Sequence, residues 1–190
     1  MPHLSRKAFD PRHPCHVTVR VREDVPSLRR PGVVKAIRKS WRRACDRGDF
    51  RLVHYSIQGN HVHLIVEAHD TDALARGMNA LGARLAKAVN RIVGRAGRVL
   101  EDRFHHVVLR SPRQVRNALA YVLLNARRHL RKRAPAGIDP ASSGAWFDGW
   151  RRVSAAARDP AGVAPPRSWL LAKGWRRHGL IDPASVPGNG

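Results

Sequence analysis

Valines at alternate positions open the readable part of the chain. In HVTVRVRE, residues 16–23, Val17, Val19 and Val21 alternate with polar side chains, the period of a strand with one buried face. Pro31 then starts a segment to Arg47 in which Val34, Ile37, Arg38, Trp41 and Ala44 recur near helical spacing, with Gly48 as the stop. RLVHYSIQ (51–58) and HVHLIVEA (61–68) read as two strands joined through Gly59 and Asn60, which suit a tight antiparallel hairpin. Asp70, Thr71 or Asp72 caps a second helix running to Gly94 or Gly97. RVLEDRFHHVVLR (98–110) is a fourth strand, less regular in its first half, and Ser111 and Pro112 open a third helix as N-cap and first residue.

The first six elements follow the order β-α-β-β-α-β. This predicts an α+β, ferredoxin-like antiparallel sheet with two helices on one face, the other face staying open for a nucleic-acid strand. From Arg131 the texture changes to Pro, Gly and Arg without a long periodic element, yet four of the five tryptophans lie there. Such rings are costly to leave in water, so this segment is expected to pack back on the domain or to meet a ligand. The division expected is a domain over residues 14–130 and a basic, Trp-rich tail over 131–190.

The charge balance narrows the partners. Thirty-six Lys and Arg against 14 Asp and Glu give a formal net charge of +22 over 190 residues, with Arg far outnumbering Lys. Guanidinium groups hold phosphates through paired hydrogen bonds and gain affinity by releasing counterions, which favours nucleic acid over a membrane surface. No apolar run is long enough for a membrane span, and no secretory pattern opens the chain, so the expectation is a cytoplasmic, nucleoid-associated protein. Cys15 and Cys45 show no metal-site spacing and read as free thiols.

The densest chemical signal is His61-Val62-His63. Strand alternation puts both imidazoles on one face and Val62, Leu64 and Val66 on the other, so the pair projects together as metal ligands do. In the third helix Val115, Leu119, Val122, Leu123, Ala126 and Leu130 form the apolar stripe, leaving Tyr121 and Asn125 beside it, stacked four residues apart. Tyr55, the other tyrosine, alternates with Val53 and Ile57 and reads as core.

Together QGNHVHLIVE, GRVLEDRFHHVVLR and AYVLLNARRH resemble the HUH single-tyrosine transposases of bacterial insertion sequences, most of all the REP-associated tyrosine transposases, over roughly residues 14–130. The resemblance implies a divalent ion, Mg2+ or Mn2+, bound by His61, His63 and Asn125. It also implies a nucleophile, Tyr121, that cuts and rejoins single-stranded, hairpin-forming DNA through a 5′-phosphotyrosine intermediate, in a monomer or homodimer. Many relatives read Asn-Pro-Val-Arg where this chain has Asn125-Ala126-Arg127-Arg128. Arg76, Arg84, Lys87 and Arg91 on the second helix, and Arg127 and Arg128 after the tyrosine, are candidate phosphate contacts. Glu67 and Asp102 are acids near the expected site, left outside it. The competing readings are a non-catalytic nucleic-acid-binding protein, a hydrolase in which the two histidines activate water, and an RNA-binding module of the RRM type. The last is weakened by the absence of its stacking aromatics.

Overall fold

The structure, a computed structural model, describes residues 9–130, 137–151 and 162–185, without the side chains of residues 127–130. Its sheet contains β1 (Cys15–Arg20), β2 (Phe50–Ile57), β3 (His61–Ala68) and β4 (His105–Val108) in the order β2-β3-β1-β4, every neighbour antiparallel. The helices are α1 (Pro31–Trp41), α2 (Thr71–Val93), α3 (Pro112–Leu130) and a short α4 (Trp169–Ala172). This is the α+β, ferredoxin-like arrangement anticipated from the element order.

Local chemistry places the ends. Asp70 caps α2 by accepting from the Ala73 N–H at 2.7 Å, and Gly94 closes it in the left-handed region at φ 71°. Ser111 Oγ accepts from the Gln114 N–H at 3.2 Å while the Gln114 side chain accepts from the Arg110 N–H at 2.7 Å, a reciprocal cap that fixes where α3 starts. The β2–β3 turn closes through the Gln58 N–H donating to the His61 carbonyl at 2.8 Å. Beyond α1 the chain turns away at Trp41, short of the expected Arg47.

One sheet face carries Val17, Val19, Leu52, Tyr55, Ile57, Val62, Leu64 and Val66 against α1 and α2 in the main core. Gly77 lets α2 seat directly on the Phe50 ring, since a Cβ there would lie 2.1 Å from it. Val53 departs from the sequence reading. A bulge between Leu52 and His54 puts two residues of β2 against one of β3, which sends Val53 to the opposite face from Tyr55 and Ile57.

That opposite face is open only beside β1. Val53 and Ile65 lie under α3, and Phe147, Trp150, Leu170, Leu171, Trp175 and Ile181 from the C-terminal segment complete a second core. The segment lacks helical or strand periodicity because short 3-10 turns, Ser143–Trp146 and Gly174–His178, present its rings. Trp175 stacks on Phe147 with centroids 5.4 Å apart, and its indole N–H donates to the Leu171 carbonyl at 3.0 Å. Trp175→Ala is therefore expected to cost about 3–5 kcal/mol of unfolding free energy, read by chemical denaturation. A change below about 1 kcal/mol would mean that the segment does not brace α3.

Cys15 and Cys45 are buried free thiols. Among the described residues, no helix is long and apolar enough to cross a membrane.

Candidate active site

The strip of the second face that α3 leaves beside β1 holds the histidines. His63, 4% exposed, faces His61 with their Nε2 atoms 3.1 Å apart. Each ring is held from behind through Nδ1. For His61 the neighbour is Asn60 Oδ1 at 2.8 Å; for His63 it is His16 Nε2 and Thr18 Oγ1, both at 3.2 Å. A proton on each Nδ1, donated to these acceptors, leaves the two Nε2 lone pairs converging.

Sheet register explains the supports. Thr18 sits opposite His63 and Arg20 opposite His61, while His16 shares their face two residues away. Burial, and secondarily the charge of His105, lower the His16 pKa to about 4, so His16 is neutral near pH 7 and keeps a lone pair for His63.

α3 brings the tyrosine. The Tyr121 ring lies edge-on to His63 with centroids 5.1 Å apart and to His16 at 5.6 Å. One turn later Asn125 is fully buried, and neither its amide oxygen nor its nitrogen has a hydrogen-bond partner. An orphaned buried amide costs roughly 1–3 kcal/mol, a cost that a bound ion or water would relieve.

These donors fit a small divalent ion. Two donors at right angles, each about 2.1 Å from an ion, stand about 3 Å apart, the separation found between the two Nε2 atoms. Among the described residues no cluster of three His, Cys, Asp or Glu side chains could hold a metal, and the Asn125 amide oxygen could serve as a third donor beside the two imidazoles.

The other predicted residues fall elsewhere. Arg76, Arg84, Lys87 and Arg91 lie on α2, across the sheet from the histidines. Of these, Arg76 is paired with Asp49 at 2.8 Å and Arg84 reaches toward the Ser40 carbonyl at 3.5 Å. The side chains of Arg127, Arg128 and Leu130 lie outside the described residues, as do Arg131 and Arg133. Glu67 sits far along β3, its two oxygens accepting from the Arg167 and Ser168 N–H groups at 2.8 Å each. Asp102 is exposed, 3.8 Å from Arg98.

Sequence reasoning missed His16, Thr18, Arg20 and Asn60. The signal was present: the polar half of the HVTVR alternation faces the same way as His61 and His63 once β1 is paired beside β3.

No curated protein matches this chain. Among solved structures, one described as a REP-associated tyrosine transposase bound to a REP hairpin is similar at a TM-score of 0.52 and 17% identity, covering 68% of this chain and 74% of that one. At that identity the likeness speaks for the fold. A candidate transposase from Deinococcus radiodurans R1 gives a TM-score of 0.43 at 10% identity over 72% of this chain and 98% of that one, too low to carry an argument. The family model for IS200-like transposases matches residues 11–114, which include β1 and both histidines but stop short of Tyr121. Since that match spans more than half of the sequence, this chain belongs to the IS200-like transposase family.

Proposed function

We propose that this protein cuts and rejoins single-stranded DNA by covalent attack from Tyr121, with His61, His63 and Asn125 holding Mg2+ or Mn2+. The observation that carries the reading is Asn125: a fully buried amide with no partner, one helical turn after a tyrosine whose ring packs on His63. The ion, when bound, polarises the scissile phosphate and offsets charge growing on its oxygens. Residues 14–130 would carry this chemistry, with Phe147, Trp150 and Trp175 of the C-terminal segment bracing α3.

The remaining steps belong to the chain. Asn60, His16 and Thr18 orient the histidine rings so that Nε2 faces the site, while Arg20 puts a cation opposite His61, where a phosphodiester would lie. The Tyr121 oxygen forms a bond to phosphorus as the P–O3′ bond breaks. The phenolic proton is accounted for on the released 3′-hydroxyl, and the ester bond energy stays in the phosphotyrosine. Attack by another 3′-hydroxyl reverses the step and joins the strands without ATP.

Hairpin DNA is the substrate class of choice because the similar solved structure has a REP hairpin bound. The test is to incubate the protein with labelled single-stranded hairpin DNA and Mn2+ or Mg2+ and to look on denaturing gels for a DNA-linked protein band. A band that a chelator abolishes is expected. Cleavage without any such band would replace this reading with a water-activating hydrolase.

His16 yields a separate prediction. Removing the acceptor behind His63 in His16→Ala should weaken Mn2+ binding about 10-fold, near the low end for such supports because Thr18 remains. Calorimetric titration of Mn2+ into the DNA-free protein reads this directly. Unchanged affinity would show that His63 is oriented without His16.

A further inference from the structure

A wide cleft lies away from the histidines, at the other end of β3. Its volume is about 650 Å3, and Arg12, Arg51, Glu67, Arg110, Arg167 and Trp169 are among its walls. Glu67 shares a face with His61 and His63 by strand alternation. Six residues of strand put it about 20 Å from His61. The cleft also adjoins the N-terminus of α3, since Arg110 directly precedes the Ser111 cap.

Its acids are spent on the protein itself. Glu67 accepts two backbone N–H bonds, and Asp49 pairs with Arg76 on α2. The cations are in surplus, because Arg110 and Arg167 have no carboxylate partner among the described residues. Arg51, 6% exposed, is held by Asp46 at 2.7 Å and by the Pro165 carbonyl, yet its Nε has no partner. A cleft walled in this way is receptive to an anion.

It also has an aromatic ring. Trp41, Trp150 and Trp175 are at most 3% exposed, whereas Trp169 is 49% exposed and lines the cleft. Its position is fixed: the two bonds to Glu67 hold the backbone of residues 167–168, Ser168 caps α4, and the Arg177 guanidinium lies 4.8 Å from the indole centroid. A solvent-facing indole beside guanidinium groups that no carboxylate neutralises, Arg167 donating only to the Gly48 carbonyl at 3.1 Å, matches one ligand chemistry well, a nucleotide with a planar base and an attached phosphate.

We propose that this cleft is a second nucleic-acid site, taking an unpaired nucleotide from the single-stranded flank of the hairpin whose scissile phosphate reaches Tyr121. The base rests against Trp169 and the phosphate lies between Arg110 and Arg167. The inference rests on the DNA reading above, and adds that the protein grips its substrate at two places about 20 Å apart. A misaligned flank would then be rejected before chemistry.

The test compares two labelled hairpins with one stem, one carrying a single-stranded oligothymidylate flank and one blunt, by fluorescence anisotropy. Wild type should bind the flanked hairpin more tightly. Trp169→Ala should remove roughly 5- to 150-fold of that preference, the range for stacking on one aromatic ring, while blunt-hairpin affinity holds. Trp169→Phe should keep most of it, which separates loss of a ring from loss of fold. Arg110→Ala should reduce the salt dependence of flanked binding by about one counterion. If Trp169→Ala and Arg110→Ala bind both hairpins as wild type does, the cleft is not a DNA site, although the tyrosine reading stands. If the wild type binds neither hairpin, both proposals fall.

Discussion

Tyr121→Phe is expected to abolish the DNA-linked protein band, a drop of roughly 10³-fold or more in covalent capture, while DNA affinity and folding stay near wild type. The separation follows from the geometry. The ring packs edge-on against His63 and His16, and phenylalanine keeps those contacts while losing only the hydroxyl. DNA affinity is measured by anisotropy and fold by thermal melting, so loss of the band alone isolates the nucleophile. Three other outcomes are decisive. An undiminished band would move the nucleophile elsewhere. Persistent cleavage without a band would favour a hydrolase, and tight binding with neither activity in wild type would leave a binding protein.

Much of this architecture could be read from local periodicity, because strands and helices with one buried face write their period into the sequence. The hairpin of β2 and β3, the Asp70 and Ser111 caps and the Gly94 stop all depend on neighbours a few residues away. β4 shows where such reading ends. Residues 98–110 looked like one strand, but only His105–Val108 pairs continuously, and the earlier part forms a single bridge from Leu100 to Val21, the residue just past β1. The bulge at Val53 is invisible to alternation because it changes the count by one residue without changing composition.

The site divided along the same line. His61, His63, Tyr121 and Asn125 were legible since each pair shares one element, and its period tells which side chains project together. His16, Thr18 and Arg20 depend on which strand lies beside β3, a fact of tertiary order. The placement of the α2 cations, across the sheet from the histidines, was hidden for a related reason: the spacing of arginines along a helix does not report which sheet face it covers. That the Trp-rich segment would pack back was one of two expectations, but the face it covers could not be read because its aromatics come from turns. Trp175, buried and stacked on Phe147, helps α3 cover most of the face that was expected to be open.

Asn125→Leu should abolish metal-dependent capture and yet stabilise the metal-free protein, by about 1–3 kcal/mol. Most buried substitutions destabilise, so the sign is the informative part. In the metal-free state the amide oxygen and nitrogen of Asn125 have left water without gaining any hydrogen bond, at full desolvation cost. Leucine has similar volume and carries no such penalty. Wild type should recover the difference only when an ion occupies the site, because an ion that binds the folded state alone raises stability by mass action. Denaturation with and without Mn2+ therefore gives four values: the variant should exceed wild type without metal, and only wild type should respond to metal. If the variant is instead less stable than wild type without metal, the amide has a structural role. If the variant responds to Mn2+ as strongly as wild type, Asn125 is not a ligand, and the two histidines must recruit another donor.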